Sequence, residues 1–296
     1  MQTKKYFLAA IGAFTIWGFF SLALKPLHDY PSLDILFYRV FYAATLLLLI
    51  NLVFRKKALQ NDLTVFKNFD RKQKVKMLGL TILGGFLLIV NWFLFIYAIN
   101  HVSLKSASFA YLICPILTTI LAYFILKEQL GKWQWFAVGL SFISCALLGF
   151  ESLRDLIFSL VIALTFAIYL ISQRKNNQFD RFVILTVQMV IASVVILPFF
   201  PTYSGVVPAE SVFWVMMNFI VILFTIIPLF LNLYALKGMN SATVGILMYI
   251  NPMIHFLLAV FYFREPVEQL EVVSYSLILL SVIVFNKEVL FKSRKP

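Results

Sequence analysis

The sequence predicts an all-α integral membrane protein with ten transmembrane helices, arranged as two inverted repeats of five helices each. Three observations predict this fold class. The 296 residues are 62% hydrophobic and 13% charged, with a mean hydropathy of +0.92, so there is too little polar surface to cover a water-soluble globule. Apolar stretches of membrane-spanning length recur along the chain, and one pattern of residues occurs twice.

Ten apolar stretches have the length of about 20 residues that crosses roughly 30 Å of hydrocarbon. Each must be a helix, because in lipid only a helix satisfies its own backbone hydrogen bonds. The predicted spans cover residues 6–24, 34–54, 77–98, 104–126, 133–150, 155–172, 182–200, 211–235, 241–263 and 269–287. The first could also be read as a signal peptide, but its removal would leave nine helices and break the repeat.

The repeat is visible at an offset of 137 residues. The matching pairs are Tyr97/Tyr234, Ala98/Ala235, Pro115/Pro252, Leu121/Leu258, Ala122/Ala259 and Glu128/Glu265. Each copy holds a nearly uncharged span with a proline halfway along and a basic and an acidic residue at its end. Two copies of one unit are the simplest account, and they divide the chain into repeats at residues 1–150 and 151–296.

The distribution of basic residues predicts the orientation. Twenty of the 25 lysines and arginines lie at one side of the predicted spans, and only Lys25, Lys105, Arg154 and Arg264 lie at the other. The positive-inside rule therefore predicts that both termini are cytoplasmic. Because five is an odd number, the two repeats must be inverted relative to each other. Residues 55–76 are expected to form a cytoplasmic loop without a domain of its own.

Several classes of function are disfavoured. The net charge of +12 comes from short basic runs between apolar spans rather than from a patch, so nucleic acid is not expected as a partner. The two cysteines, Cys114 and Cys145, lie inside spans and predict neither a disulfide framework nor a metal site. No catalytic motif and no phosphate-binding loop is present, so we expect no enzyme, no cofactor and no ATP-driven pump.

Two prolines occupy symmetric positions near the bilayer midplane. Pro115 and Pro252 lack an N–H, and each is expected to break its helix and leave free the carbonyl four residues earlier, that of Tyr111 or Met248. Cys114 and Asn251 add polarity just before them. Broken helices paired across inverted repeats indicate a central binding site, although a kink that only aids packing is the alternative.

Arg39 is the one strong charge inside a predicted span, roughly 7 Å in from Asp34. A charge at that depth costs several kcal/mol unless it is paired or faces water, so a functional role is the default hypothesis. The alternatives are that Arg39 reaches the interface or pairs with Asp34. Lys25 lies above it at the predicted outer mouth. A guanidinium binds carboxylates through paired hydrogen bonds, which predicts a carboxylate-bearing substrate.

Other polar and aromatic side chains within the spans are further candidates for substrate binding. Asn91 and His255 are costly to place in lipid, and His255 could instead bond a neighbouring helix. His255 is also the one buried group within the spans that titrates near neutral pH, so we expect either uncoupled exchange or coupling that depends on it. Trp17, Tyr111 and Tyr249 lie away from the helix ends and would either line a cavity or pack.

The sequence resembles the RarD-type branch of the EamA family in the drug/metabolite transporter superfamily. The residues that carry the resemblance are Ile16-Trp17-Gly18, Lys25, Pro31, Asp34, Arg39-Val40, Asn91-Trp92, Asn100, Ala107-Ser108, Pro115, Leu126, Glu128, Gln134-Trp135, Thr225, Pro228, Thr243, Gly245, Tyr249-Ile250, Pro252 and Glu265-Pro266. Cys114 departs from the family's pattern, which has asparagine before the proline of the first half. Asn251 supplies that residue in the second half.

The resemblance implies ten helices in two inverted repeats, a cavity lined by the first four helices of each repeat, and export of small metabolites or drugs from bacterial cells. We therefore expect a secondary transporter of the inner membrane that works by alternating access. A membrane-embedded enzyme and a passive channel or sensor are the alternatives. An enzyme should show clustered titratable residues near one membrane face, whereas the acidic residues here are scattered or flank the predicted helix ends.

Overall fold

A computed structural model describes residues 2–102, 104–149, 153–264 and 267–287. In the first half, helix 1 is Gln2–Gly18 with its continuations Phe20–Leu24 and Lys25–Leu27, helix 2 is Ser32–Val53, helix 3 is Arg71–His101, helix 4 is Leu104–Leu126 and helix 5 is Lys132–Leu148. In the second half, helix 6 is Leu153–Lys175, helix 7 is Arg181–Ile196 with its continuations Leu197–Phe199 and Phe200–Tyr203, helix 8 is Ser211–Gly238, helix 9 is 241–263 and helix 10 is Gln269–Phe285.

The ten predicted spans each correspond to one of these helices, which confirms the fold class. Eight helices are long and apolar enough to cross a membrane, and helices 5 and 10 are shorter apolar helices of 17 residues each. Those two pack on each other through hydroxyl groups, since Ser141 Oγ donates to Ser281 Oγ at 3.0 Å and Ser144 Oγ donates to the Ser274 carbonyl at 2.8 Å. Small hydroxyl-bearing residues allow this close approach.

The packing of the helices is symmetric between the two halves. Helix 2 packs against helix 7, helix 4 against helix 9, and helix 5 against helix 10, so each of these meets its own counterpart. Helix 1 packs against helices 8 and 9, while helix 6 packs against helices 3 and 4. Exchanging each helix with the one five positions away reproduces the same pairs, as a two-fold axis in the membrane plane requires.

Chain direction alternates from helix to helix, so the two ends of the described chain lie at the same side. We name the side that holds Gln2 the N-terminal face and the opposite side the far face. Helices 2, 4, 6, 8 and 10 end at the N-terminal face, and helices 3, 5, 7 and 9 begin there.

The two basic residues of the repeat share an unusual backbone conformation. Lys127 and Arg264 have φ angles of 56° and 57°, the two positive values among the described non-glycine residues. At Lys127 this left-handed residue ends helix 4, and the N–H of Glu128 turns back to donate to the Ala122 carbonyl at 3.2 Å. The Glu128 carboxylate then accepts from the N–H groups of Ser241 and Ala242 at 2.7 and 3.0 Å, which caps helix 9.

Residues 55–76 differ from the predicted loop. Lys56–Asn68 is an α-helix on the N-terminal face, and Asp70 caps helix 3 through the Gln73 N–H at 2.6 Å, so that helix 3 begins six residues before its predicted span. The surface helix is amphipathic, and its Phe66 packs near Phe69 and Phe179. Apolar residues spaced for one helix face explain why this polar segment is ordered.

Candidate functional site

The site is built on a local irregularity of helix 8. Residues Ile222–Ile226 form a π-helical segment, and Pro228 follows directly after it. Because Pro228 has no N–H, the Phe224 carbonyl four residues earlier lacks its usual helical donor. π-Helical segments within α-helices are frequent at functional sites. The freed carbonyl lies inside the bundle and is available to side chains of other helices.

Two side chains from the first repeat use the Phe224 carbonyl. Trp17 donates to it from Nε1 at 3.0 Å, and Arg39 donates from Nη2 at 3.4 Å. Arg39 also donates from Nε to the Thr225 hydroxyl at 2.7 Å, and that hydroxyl donates in turn to the Ile220 carbonyl at 2.9 Å. Helices 1, 2 and 8 are thus joined by one hydrogen-bonded group around Arg39.

Aromatic rings complete the surroundings of the Arg39 guanidinium. Its Cζ atom lies 4.2 Å from the ring centre of Trp92 on helix 3 and 5.0 Å from that of Phe20 on helix 1. Both distances fall in the range of cation–π attraction. Tyr111 on helix 4 packs against Phe95 of helix 3, one turn after Trp92, with 5.3 Å between the two ring centres. The charge is therefore stabilised by dipoles and ring faces.

Asp34 does not neutralise Arg39. The Asp34 carboxylate accepts from the Gly205 N–H, with distances of 3.0 and 3.3 Å to its two oxygens, and so ties the beginning of helix 2 to the end of helix 7. Among the described residues, no carboxylate lies within 4.0 Å of the Arg39 nitrogens. Arg39 is half-buried, and its Nη1 group has no hydrogen-bond acceptor in the described part of the chain.

The structure brings Trp17 and Arg39 together at the Phe224 carbonyl and places the other candidates elsewhere. Asn91 joins helix 3 to helix 6, donating from Nδ2 to the Ile162 carbonyl at 2.8 Å and to the Thr165 hydroxyl at 3.0 Å. Tyr249 of helix 9 is fully buried, and its hydroxyl donates to the Leu112 carbonyl of helix 4 at 3.0 Å.

Lys25, Asn251 and His255 lie away from the Arg39 guanidinium. Lys25 begins the last continuation of helix 1, near the far face, and has its Nζ 5.5 Å from the Tyr262 ring centre, at a pocket that His28 also lines. His255 is half-buried and Asn251 is buried on the part of helix 9 that packs against helix 1. Asn251 lies near the middle of helix 9, and His255 lies about one turn closer to the far face.

The two prolines have different effects on their helices. Helix 4 continues as an α-helix through Pro115, whereas helix 9 is interrupted at Met248 and Tyr249, one turn before Pro252. The Met248 carbonyl, expected to be free, accepts from the Asn251 N–H at 3.0 Å. In helix 4 the Tyr249 hydroxyl donates to the carbonyl of Leu112, the residue after Tyr111, at 3.0 Å. A break is thus described at the second proline alone.

Helices 4 and 9 are in tight contact near the N-terminal face. A Cβ atom on Gly245 would lie 2.9 Å from the Thr118 side chain, so glycine is required for this approach. The segment Ser241–Leu247 packs on helix 4, whereas Ile250–Leu258 packs mainly on helix 1. The two helices are therefore close together on the N-terminal side and move apart toward the far face. Arg39 lies on the far-face side.

Sequence reasoning missed the groups that hold Arg39. Thr225 and Phe224 are neutral residues in an apolar span, and only the position of Pro228 pointed to a free carbonyl next to them. Pro228 and Asn91 are equivalent at the 137-residue offset. Near Pro228, helix 8 accepts a hydrogen bond from helix 1, and Asn91 of helix 3 donates one to helix 6, so both positions serve equivalent pairs of helices. The match between these two positions in the sequence could therefore have pointed to a polar contact at each of them.

These features define a multi-pass membrane transporter. The EamA-like transporter family matches residues 4–150 and 153–287, and the chain belongs to that family. It is 29% identical to the uncharacterized transporter YojE of Bacillus subtilis, over 96% of this chain and 94% of YojE. It is 27% identical to the protein RarD of Streptomyces exfoliatus, over 97% of this chain and 90% of RarD.

A third relative, an uncharacterized transporter of Vibrio cholerae, is 28% identical over 96% of this chain and 93% of its own length. A solved crystal structure of a protein superposes with a TM-score of 0.77 at 14% identity, covering 98% of this chain and 99% of that one, and it supports the fold. The predicted resemblance to RarD-type members of the EamA family is confirmed. Since its relatives are transporters, the chain is a transporter and not an enzyme.

Proposed function

We propose that the chain is a secondary transporter of the bacterial inner membrane that exports small metabolites by alternating access, and that its substrates carry a carboxylate or a comparable anionic group. The Arg39 site is the observation that carries this proposal. It presents a positive charge within the bundle, between aromatic rings, with no described carboxylate to neutralise it. An intramembrane charge of this kind marks a substrate path by default.

The arrangement suits an anion that also has an apolar part. Arg39 uses its Nε and one hydrogen of Nη2 on helix 8 and leaves its Nη1 end available. One N–H of Nη1 and the remaining N–H of Nη2 point in parallel and can bind two oxygens of a carboxylate at once. Trp92 and Phe20 offer aromatic surface beside the charge, which suits a ring or an aliphatic chain.

The orientation follows from the charge distribution. With the N-terminal face in the cytoplasm, 20 of the 25 lysines and arginines lie on the cytoplasmic side, as the positive-inside rule requires. On that side helices 4 and 9 are in close contact at Gly245 and Thr118, whereas farther along helix 9 packs mainly on helix 1, which favours an outward-open arrangement. Release of an exported substrate to the outside would use this conformation, and loading would use its inverted counterpart.

The test is untargeted metabolite profiling of the medium from cells with and without the chain. We expect one or more carboxylate-bearing metabolites to accumulate outside only when the chain is present. Arg39→Gln should reduce that accumulation at least about tenfold, because it removes charge-assisted hydrogen bonds.

Arg154→Gln is the matched control for that variant. It removes an exposed arginine of the same far face, one that donates to the His101 carbonyl at 3.1 Å, and should leave export unchanged. If the medium is identical with and without the chain, or if the exported compounds are all cationic, the proposed function is wrong.

A further inference from the structure

A second group of buried polar side chains lies near the N-terminal face, where helices 3, 6 and 7 meet. We name it the inner polar cluster, and it consists of Thr81, Tyr169, Gln173, Asn176, Arg181 and Gln188. Each of these residues is less than one-tenth exposed. The predicted seventh span began at residue 182, one residue after Arg181, so the sequence assigned this arginine to a cytoplasmic connection.

Hydrogen bonds join the members of the cluster in two groups, one around Gln188 and one around Asn176. Gln188 donates from Nε2 to Gln173 Oε1 at 2.8 Å, and the Tyr169 hydroxyl donates to Gln188 Oε1 at 3.4 Å. Asn176 donates from Nδ2 to the Thr81 hydroxyl at 2.9 Å. Arg181 donates from Nη1 to the Asn176 carbonyl at 2.6 Å.

Arg181 keeps one whole edge of its guanidinium unused. The side chain is 3% exposed, and its Nε and Nη2 atoms are buried without a hydrogen-bond partner, as is Asn176 Oδ1. Asp180 is the neighbouring carboxylate, but it is engaged by Arg55 at 2.8 Å. Within the described ranges, no carboxylate lies within 4.0 Å of the Arg181 nitrogens.

The unused edge has a specific geometry. The N–H of Nε and one N–H of Nη2 point in parallel from the same side of the planar guanidinium, and together they match the two oxygens of a carboxylate. A buried cation with both of these donors unsatisfied is costly. An anion that reaches this edge would remove the cost and gain two charge-assisted hydrogen bonds.

The position of the cluster is the symmetric counterpart of the Arg39 site. Arg39 lies on helix 2 and contacts helices 1, 3 and 8. Exchange of each helix with the one five positions away turns the junction of helices 2, 1 and 8 into that of helices 7, 6 and 3. The inner polar cluster occupies this second junction, toward the N-terminal face. Arg181 is the first residue of helix 7, whereas Arg39 is the eighth residue of helix 2, so the junctions correspond although the two arginines lie at different depths.

The inner polar cluster is closed in this conformation. Helix 3 reaches it through two consecutive glycines, and a Cβ atom on Gly84 would collide with the side-chain amides of Gln173 and Gln188. A Cβ atom on Gly85 would lie 2.9 Å from the Gln188 carbonyl oxygen. No side chain fits at Gly84 beside Gln173 and Gln188, and Arg181 itself is 3% exposed, so the cluster admits a ligand only after its helices move apart.

We infer that the inner polar cluster is a second anion site, which takes up the carboxylate of the substrate on the cytoplasmic side once that side opens. This inference rests on the proposed function and adds a loading site to it. Arg181 binds the anion through its Nε and Nη2 groups, while Gln173 and Gln188 exchange their mutual hydrogen bond for contacts with the polar part of the substrate. Arg39 then holds the same group on the way out.

The test measures binding of acetate to the purified full-length protein in detergent, without transport. Sodium acetate is titrated against sodium chloride at constant ionic strength, and the apparent unfolding temperature is recorded. The parent protein carries Arg39→Gln, so that binding at the outer site does not contribute. We expect a saturable rise in the unfolding temperature with acetate, because a ligand that binds the folded state stabilises it.

Three further substitutions in that parent locate the acetate. Arg181→Gln should raise the half-saturating acetate concentration at least about tenfold, since it removes charge-assisted hydrogen bonds. Arg181→Lys should do the same, because lysine keeps the charge and a donor for the Asn176 carbonyl but lacks the parallel pair of N–H groups. Lys132→Gln is the control, and it should bind acetate as the parent does. Lys132 is exposed at the beginning of helix 5, on the same face.

Each of several results would overturn the inference. The first is that acetate leaves the unfolding temperature of the Arg39→Gln parent unchanged. The others are that Arg181→Gln responds to acetate as the parent does, or that Arg181→Lys binds acetate as tightly as the parent. Any of these would show that Arg181 only stabilises the segment before helix 7. These results are separable from failure of the proposed function, which is judged by export from cells. If cells with the chain exported no carboxylate-bearing metabolite while acetate still bound at Arg181, the proposed export would be refuted and the inner site would stand.

Discussion

Neutral groups hold the charge of Arg39. Its partners are a threonine hydroxyl, a backbone carbonyl and two aromatic rings, so none of these contacts neutralises its positive charge. The sequence singled out Arg39 because a charge in lipid is costly and therefore conspicuous. It did not identify Thr225, since a threonine in an apolar span carries no such cost and its role depends on a helix 186 residues away in the chain.

The charge-swapped variant Asp34→Arg with Arg39→Asp tests whether these two residues act as a pair. We expect it not to restore the export that Arg39→Gln loses, because Asp34 accepts from the Gly205 N–H and Arg39 donates to Thr225. Export is measured as metabolite accumulation in the medium, normalised to the amount of protein in the membrane. Recovery of export in the swapped variant would show that Arg39 is structural.

Asp62 on the surface helix provides a test at the N-terminal face. Burial raises its pKa above the usual 3.8, and the nearby charge of Asp180 acts in the same direction, although the Asp180 N–H donates to its carboxylate at 2.9 Å. A carboxyl with a raised pKa binds protons more tightly in the folded state, so stability falls as pH rises from 3.8 through the raised pKa and stays lower above it.

Asp62→Asn should therefore unfold at a higher temperature than the unsubstituted protein at pH 7, and the difference should vanish as the pH falls below about 4. Thermal unfolding of the purified proteins across this pH range measures the effect. Asp70→Asn is the control, because asparagine caps a helix about as well as aspartate, and Asp70 caps helix 3. A lower unfolding temperature for Asp62→Asn at pH 7 would contradict the argument.

At the scale of single helices, the position of a proline in the sequence does not determine whether the helix is interrupted there. The sequence located Pro115 and Pro252 correctly near the middle of their spans, but only helix 9 is interrupted, and the interruption comes one turn before the proline. The proline that contributes to the Arg39 site is Pro228, which leaves the Phe224 carbonyl to Trp17 and Arg39. Which freed carbonyl finds a partner depends on neighbouring helices, which hydropathy does not describe.

Pro228→Ala tests this account of helix 8. The new N–H at position 228 would donate to the Phe224 carbonyl and compete with Trp17 and Arg39, so export should fall about fivefold, the equivalent of roughly one hydrogen bond. The fold should persist, because alanine favours a helix. Pro115→Ala is the control, since helix 4 is already continuous there. Wild-type export by Pro228→Ala in the same assay would contradict the role assigned to this carbonyl.

At the scale of the whole molecule, composition and repeated residues were sufficient to predict ten helices, because a long apolar segment in lipid has no alternative to a helix. The αL conformation shared by Lys127 and Arg264 repeats at the offset read from the sequence. The surface helix Lys56–Asn68 was not predicted, since its short apolar side finds a partner only when Phe179 is brought to it by the fold.

The same limit applies to the sites. The sequence could identify Arg39 as an intramembrane charge, but Arg181 lies at the boundary of helix 7, where span prediction is least sharp. Its burial becomes visible only when helices 3, 6 and 7 are packed together. Likewise, Asn91 and Tyr249 were recognised as costly or unusual, but their acceptors on helices 6 and 4 could not be read from spacing.

Alternating access is the central claim, and it predicts that the two sides of the bundle open in turn. Pulsed electron spin resonance distances between paired spin labels test this most directly. One pair, at exposed Gln129 and Asn240, reports on the N-terminal face where Glu128 caps helix 9. The other, at exposed His101 and Phe261, reports on the far face. Labelling requires Cys114→Ser and Cys145→Ser, which replace two buried native thiols.

We expect two populations for each pair, with the long distance on one face accompanying the short distance on the other. Adding the exported metabolite should shift both pairs in opposite directions, because a ligand changes populations only through different affinities for the two states. Alternating access would be contradicted if each pair showed one distance that saturating metabolite did not change. It would also be contradicted if both distances lengthened together.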